Sequence, residues 1–356
     1  MRRSTIAGGA VLALAVGAFA FAPIAGGSTA AVRVVADHLN NPRGLEIGPD
    51  GSLYIAEAGA AGPKCFKTPE GQQCGGFSSA ILRVAGGNVE RYATGFLSGG
   101  GRDGSFSVGM DDIAVSPGGT VYGIVTSVGP KPETFGPQIA AQSGMLFRVD
   151  RGGKTPVADI SSYEWKHNPA NDNLDSDPYS VAWSPVGLAV ADAAGNDLLA
   201  VDGSGNVSTL ATFRGQIFGG HAAQSVPTTV VWHDGAFYVG ELGGGGTPVG
   251  KSRIWKVVPG QGAIVLATGF TAITGLAFGP DGSMYVSELA KGGLGAAESG
   301  KLDGALIRVW PSGRRSEVAA GQLTAPAGVA VASDGTVYVS VNSVFARRGQ
   351  VVAINQ

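Results

Sequence analysis

Apolar and polar residues alternate along this chain in short runs, and the runs pair up around turns rich in Gly and Asp. One such pair recurs six times. It reads NPRGLEIGPDGSLYIAE from Asn41, GMDDIAVSPGGTVYGIV from Gly109 and DPYSVAWSPVGLAVAD from Asp177. It returns as VPTTVVWHDGAFYVGE from Val226, AITGLAFGPDGSMYVSE from Ala272 and APAGVAVASDGTVYVSV from Ala325. Period-two alternation of this kind marks β-strands, and Asp-Gly at Asp50-Gly51, Asp234-Gly235, Asp281-Gly282 and Asp334-Gly335 marks hairpin turns that need positive φ. Most phrases are followed by a loop and a second strand pair, as in ILRVAGGNVERYA, MLFRVDRGGKTPVA, LLAVDGSGNVSTLA, IWKVVPGQGAIVLA and LIRVWPSGRRSEVA. No stretch of useful length repeats at helical spacing.

The repeating unit is therefore a four-stranded antiparallel meander of about 45 to 70 residues, a period typical of radial repeat folds. One such sheet cannot bury both faces, whereas six packed around an axis can. The predicted fold is all-β, a six-bladed β-propeller. The sixth phrase reaches the C-terminus with only a third strand, VVAIN. The segment VRVVADH, Val32 to His38, supplies the missing outer strand and closes the ring, leaving no exposed edge. The predicted organisation is residues 1–31 as a signal peptide and 32–356 as a single propeller domain.

Composition fits that picture. Gly supplies 59 of 356 residues without a three-residue period, which excludes collagen, and a hydrophobic content of 44% excludes wholesale disorder. Charged residues are only 15%, so Gly, Ser, Thr and Asn finish the surface. There is no basic face for nucleic acid. Arg2 and Arg3, then the apolar run Ile6 to Ile24, then small residues ending at Ala30 and Ala31, read as a secretory signal. Its removal leaves 23 basic and 27 acidic residues, net −4, and no membrane association after cleavage. Export and an even cysteine count predict a Cys65–Cys74 disulfide. The pair lacks the histidine neighbours and C-x-x-C spacing of a metal or redox site.

The first hairpin repeat, P-x-G-[apolar]-x-[apolar]-x-x-D-G-x-[apolar]-Y-V, resembles the NHL and SMP-30/gluconolactonase type of six-bladed propeller. The longer stretches CFKTPEGQQCGGFSSAILRV, DSDPYSVAWSPVGLAVADAAGNDLLAVDGSGNVSTLA and QSVPTTVVWHDGAFYVGELGGGGTPVGKSRIWKVV resemble the ScyD/ScyE family of secreted bacterial proteins, over essentially the whole mature chain. That resemblance implies a propeller, an exported location and, for some members, association with scytonemin pigment gene clusters. It implies no established reaction.

Candidate chemistry sits at three places. The residue after the motif proline, or its equivalent, should converge at one mouth of the channel: Arg43, Asp111, Tyr179, Thr228, Thr274 and Ala327. In gluconolactonase-like relatives such positions hold a divalent metal. Here one carboxylate, two hydroxyls, a phenol, an alanine and an opposing arginine favour a polar or anionic organic ligand anchored by Arg43. A second set, Glu57, Asp192, Glu241 and Glu288, closes the second strand of four phrases and reads either as loop caps or as an acidic ring around a ligand. The third place is Asn173, Asp175 and Asp177, which alternate like the first half of a calcium loop but lack its glycine and final glutamate. Calcium is thus the one cofactor considered.

Two glycine motifs, Gly245 to Ser252 and Gly99 to Gly104, imitate nucleotide loops but precede no helix that could hold a phosphate. There is no nucleophile elbow or zinc-protease motif. His38 and His233 are expected at the surface; His167 and His221 could reach the rim as a general base. The expected function is an exported binding or scaffold protein. It would engage a small molecule, glycan or extracellular protein through the face crowned by loops Gly59 to Ser79, Val128 to Ser143, Leu242 to Ser252 and Leu289 to Asp303. The alternatives are an SMP-30/gluconolactonase-like hydrolase or lactonase, and an accessory of secondary-metabolite biosynthesis.

Overall fold

The computed structural model describes residues 25–28, 31–68 and 71–355. The chain forms six antiparallel four-stranded blades around a central channel. Blade 1 comprises Pro42–Ile47, Leu53–Glu57, Gly71–Ala85 and Asn88–Gly101. Blade 2 comprises Met110–Val115, Val121–Val125, Met145–Asp150 and Gly153–Asp159, and blade 3 Pro178–Ser184, Gly187–Asp192, Asp197–Val201 and Val207–Thr212. Blade 4 is Pro227–His233, Ala236–Glu241, Ser252–Val257 and Ala263–Phe270. Blade 5 is Ile273–Phe278, Met284–Glu288, Ala305–Val309 and Arg315–Val318. Blade 6 takes three strands from the C-terminus, Val329–Val331, Val337–Val341 and Gly349–Asn355, and its outer strand from Ala31–Leu39. That last strand runs antiparallel to Gly349–Asn355, so the two ends of the propeller share one sheet.

The core is divided by blade interface. Among the described residues, one cluster joins Tyr54 and Ile81 of blade 1 to Met110, Ile113 and Phe147 of blade 2. The next joins Ile124 and Leu146 to Val181 and Leu199. The others follow in turn between blades 3 and 4, 4 and 5, 5 and 6, and 6 and 1. Each sheet buries one face on each neighbour, which explains the near-continuous apolar character of the second and third strands.

The turns follow chemistry more selectively than expected. Asp234 and Gly235 both have positive φ. At the other three Asp-Gly pairs only the glycine does, with Gly51, Gly282 and Gly335 at φ between 75° and 86°. There the Asp side chain instead accepts the N–H two residues on, from Ser52, Ser283 and Thr336.

Two elements depart from the expected pattern. Helix Ile160–His167 leads from blade 2 toward blade 3. Asp159 Oδ1 accepts from Ser162 N at its start, and Asn168 ends it in the left-handed region at φ 40°. The helix is too short for its periodicity to register, so its caps are the sequence signal that went unused. Blade 1 also carries a hairpin of Lys64–Thr68 on the start of Gly71–Ala85, bridged by Cys65–Cys74. Of the segment expected to be a signal, residues 25–28 form a short strand parallel to Arg315–Val318, and residues 1–24 lie outside the described residues. None of the described helices is long and apolar enough to cross a membrane.

Candidate functional site: the central channel

The innermost strands enclose a channel of about 450 Å³. Arg43, Asp111, Tyr179, Thr228, Thr274 and Ala327 all line it, as the repeat register requires. They form its inner end rather than a solvated mouth. Asp111 is 1% exposed, Arg43 9% and Ala327 2%. At the opposite end the first-strand turns bring exposed Pro49 and Pro117, with partly buried Trp183, Trp232, His233 and Phe278, to the lining. The channel therefore opens on the turn side, away from the loop crown.

The inner end carries unspent polarity. Arg43 Nη2 donates to Ser107 O at 2.8 Å, and Nη1 lies 3.5 Å from the Tyr179 hydroxyl. Arg43 Nε faces Asp111 Oδ1 at 3.8 Å, too far for a hydrogen bond; Nε and both Asp111 oxygens are buried without a close hydrogen-bond partner, the Gly109 N–H alone standing near enough to favour the Asp111 charge. Burial pushes the Asp111 carboxyl well above the usual range, with the Arg43 charge opposing the shift. Burial likewise raises Tyr179 to about 12. Asp177 does not line the channel but is close enough to feel the Arg43 charge. Its Oδ1 accepts from Thr126 Oγ1 at 2.7 Å, and burial raises its carboxyl too.

The two ring threonines do something else. Thr228 Oγ1 donates to Ile273 O at 2.6 Å and Thr274 Oγ1 to Pro326 O at 2.9 Å, each reaching the next blade. Ser340 Oγ donates to Arg43 O at 2.8 Å, stitching blade 6 to blade 1. Their hydroxyls hold the ring together. Glu57, Asp192, Glu241 and Glu288 act alike at the second-strand ends, each accepting from the loop that leads into its own blade. Glu57 Oε1 accepts Asn40 N at 2.6 Å, Asp192 Oδ1 accepts Asp177 N at 2.7 Å and Glu288 Oε1 accepts Thr271 N at 2.9 Å. Glu241 accepts from Ser225 Oγ, Arg253, Trp255 Nε1 and Gln216 Nε2. The structure places these carboxylates as loop caps, not around one pocket.

Asn173 and Asp175 are exposed, Asp175 accepting from Ser176 N, while Asp177 turns inward toward Thr126. The three do not converge. His38, His167 and His221 are exposed. His233 corrects its surface expectation: it stacks on Phe278 at 3.9 Å and 6° and lines the channel opening.

Two channel residues escaped the sequence reading. Asp112 accepts from Ser180 Oγ at 2.6 Å and Val181 N at 3.0 Å, bridging blades 2 and 3. Burial raises it to about 7, against those hydrogen bonds. Glu46 lies half-buried in the wall, raised to about 8 by burial and by Asp112. A signal existed. Aligning the repeats puts Asp112 in a column with Gly44, Ser180, Thr229, Gly275 and Gly328, and Glu46 in one with Ala114, Ala182, Val231, Ala277 and Ala330. Each is the only acid in a column of small or apolar residues.

No family model and no curated protein matches the sequence. Solved structures do. The chain is similar to a glucose dehydrogenase-type oxidoreductase from Thermus thermophilus, at 18% identity and TM-score 0.55, over 92% of this chain and 100% of that one. A calcium-binding regucalcin from Agrobacterium tumefaciens gives 14% identity and TM-score 0.55 over 94% and 95%. A gluconolactonase-type protein gives 10% identity and TM-score 0.54 over 92% of each chain. At these identities the likeness shows the fold alone, a six-bladed β-propeller.

Proposed function

We propose that this is an exported propeller that binds a small, uncharged, hydroxyl-rich organic molecule in its central channel. The observation that carries the reading is the pair of buried, hydrogen-bond-deficient groups at the inner end, Arg43 Nε and the Asp111 carboxyl. Buried polar groups without partners cost roughly 1–3 kcal/mol each, and a ligand hydroxyl between them would restore both bonds. Burial raises the carboxyls of Asp111, Asp112 and Glu46, so beside the lone Arg43 the wall offers neutral hydroxyl donors and acceptors, which suit an uncharged hydroxyl-bearing ligand. Trp183 and Trp232 at the opening offer faces against which a sugar-like ring can pack. The disulfide and the apolar leading segment support export.

A thermal-shift series of sugars, polyols, sugar lactones and organic acids tests it. A sugar or polyol should raise the melting temperature, and Asp111→Asn and Arg43→Ala should each abolish the shift. Stabilisation by organic acids alone would overturn it. The hydrolase reading rests on one observation, two channel carboxyls raised to about 7 and about 8, the range suited to general acid–base work at neutral pH. It requires sugar-lactone hydrolysis that Glu46→Gln removes.

A further inference from the structure

The face on which the channel opens carries a second recess, a groove of about 370 Å³ between blades 2 and 3. Its walls are two rows of cross-strand neighbours. On blade 2, Tyr122, Arg148 and Thr155 stand opposite one another from the second strand to the fourth. On blade 3, Trp183, Leu188 and Val201 do the same from the first strand to the third. First strands surround the channel and fourth strands form the rim, so the groove runs radially. Its inner end meets the channel at Trp183, which lines both. At its outer end the turn Asp202 to Gly205 presses on blade 2, where a Cβ on Gly205 would collide with Val157 O.

Arg148 lacks the tether that its repeat equivalents have. Arg83 in blade 1 and Arg308 in blade 5 hold the same position, opposite Tyr54 and Tyr285 as Arg148 is opposite Tyr122. Both are tied to the first hairpin turn of their blade, Arg83 Nη2 to Asp50 and Arg308 Nη2 to Asp281, each at 2.6 Å. The aligned turn residue in blade 2 is Gly118. Arg148 is left with Asp150, 3.9 Å away and beyond hydrogen-bond distance, and its side chain is half exposed. Across the groove, Asp202 spends both oxygens on its own turn, accepting from Ser204 N, Asn206 N and Asn206 Nδ2. The sheet therefore fixes an untethered guanidinium in a groove that also presents Tyr122 and Trp183.

We propose that the groove binds a saccharide unit bearing a carboxylate, so that the ligand is an acidic glycan whose neighbouring uncharged ring enters the channel. A guanidinium fork matches the two oxygens of a carboxylate, and the aromatic side chains give the sugar ring apolar faces. The channel half of this assignment rests on the reading above; the groove half rests on Arg148 and Gly118.

Calorimetry on the mature chain, comparing a panel of neutral disaccharides with their uronic-acid counterparts, tests it. An acidic member should bind about tenfold more tightly than its neutral counterpart at low salt, the gain shrinking as ionic strength rises. Arg148→Ala should bring the two level. So should Gly118→Asp, which restores the tether of blades 1 and 5 in a turn of the same hydrogen-bonding pattern and ordinary φ. Gly118→Asn, of the same size but uncharged, should keep the gain. Equal binding of the paired ligands by the parent, or a gain that survives Gly118→Asp, would overturn the groove and leave the channel reading standing. Binding of acidic members alone, lost in Gly118→Asp but unchanged in Asp111→Asn, would uphold the groove and overturn the channel reading. Binding of no member of the panel would overturn both.

Discussion

Asp112 and Gly44 are matched across the first blade interface. The Asp112 side chain occupies the space a Cβ on Gly44 would need, and it holds Ser180 and Val181 of blade 3. Gly44→Ala should therefore destabilise by overpacking, by ~1–3 kcal/mol, or a few degrees in a thermal melt. Gly44 has ordinary φ, so the loss would be purely steric. Glu46 carries a pH signature. Its folded pKa, about 8, lies above the 4.5 of a free glutamate, so between those values the folded chain binds the extra proton. Stability from this group is complete below pH 4.5 and is lost as pH rises toward 8. Glu46→Gln should melt with the parent at pH 4 and above it at pH 8. Coincident curves at both values would show that water in the channel screens the carboxyl.

At the scale of elements, the repeated device is a carboxylate ending the second strand and capping the loop that leads into the first. Glu241 is its most connected example. It is fully buried, its Oε1 2.7 Å from Arg253 Nε and its Oε2 3.1 Å from Trp255 Nε1. Glu241→Gln keeps the shape but leaves Arg253 uncompensated. Breaking such a buried pair costs about 3 kcal/mol, which should lower the melting temperature by roughly 4–5 °C. A change under 1 °C would mean that Gln216 and solvent suffice to satisfy the arginine. The position of these acids was legible in the aligned repeats. Their role was not, because the same carboxylate reads as ligand or as cap until its donors are located.

For the whole molecule, closure is the decisive contact. Ala31–Leu39 covers the edge of Gly349–Asn355, a pairing between residues more than 300 apart in sequence. A chain beginning at Asn41 should expose that edge, lose its single cooperative melting transition and associate at low micromolar concentration. A cooperative melt at the parent temperature would show that blade 6 stands without its outer strand.

Repeat period, strand number and ring closure were determined by the sequence itself, because they depend on local alternation and on counting strands. The Cys65–Cys74 bridge was equally local, its partners facing each other across one hairpin. What tertiary structure decided was the direction and company of side chains. Thr228 and Arg43 occupy equivalent repeat positions, yet one hydroxyl reaches the next blade and the other group keeps an unspent N–H in the channel. Asp177 and Asp175, two residues apart, end respectively on the Thr126 hydroxyl and in solvent. Asp112 met Ser180 only when blade 2 packed against blade 3, across 68 residues that carry no periodic trace of the contact. Hydrogen-bond partners are set by distances of an ångström or less between segments remote in sequence, and no pattern along one chain encodes them.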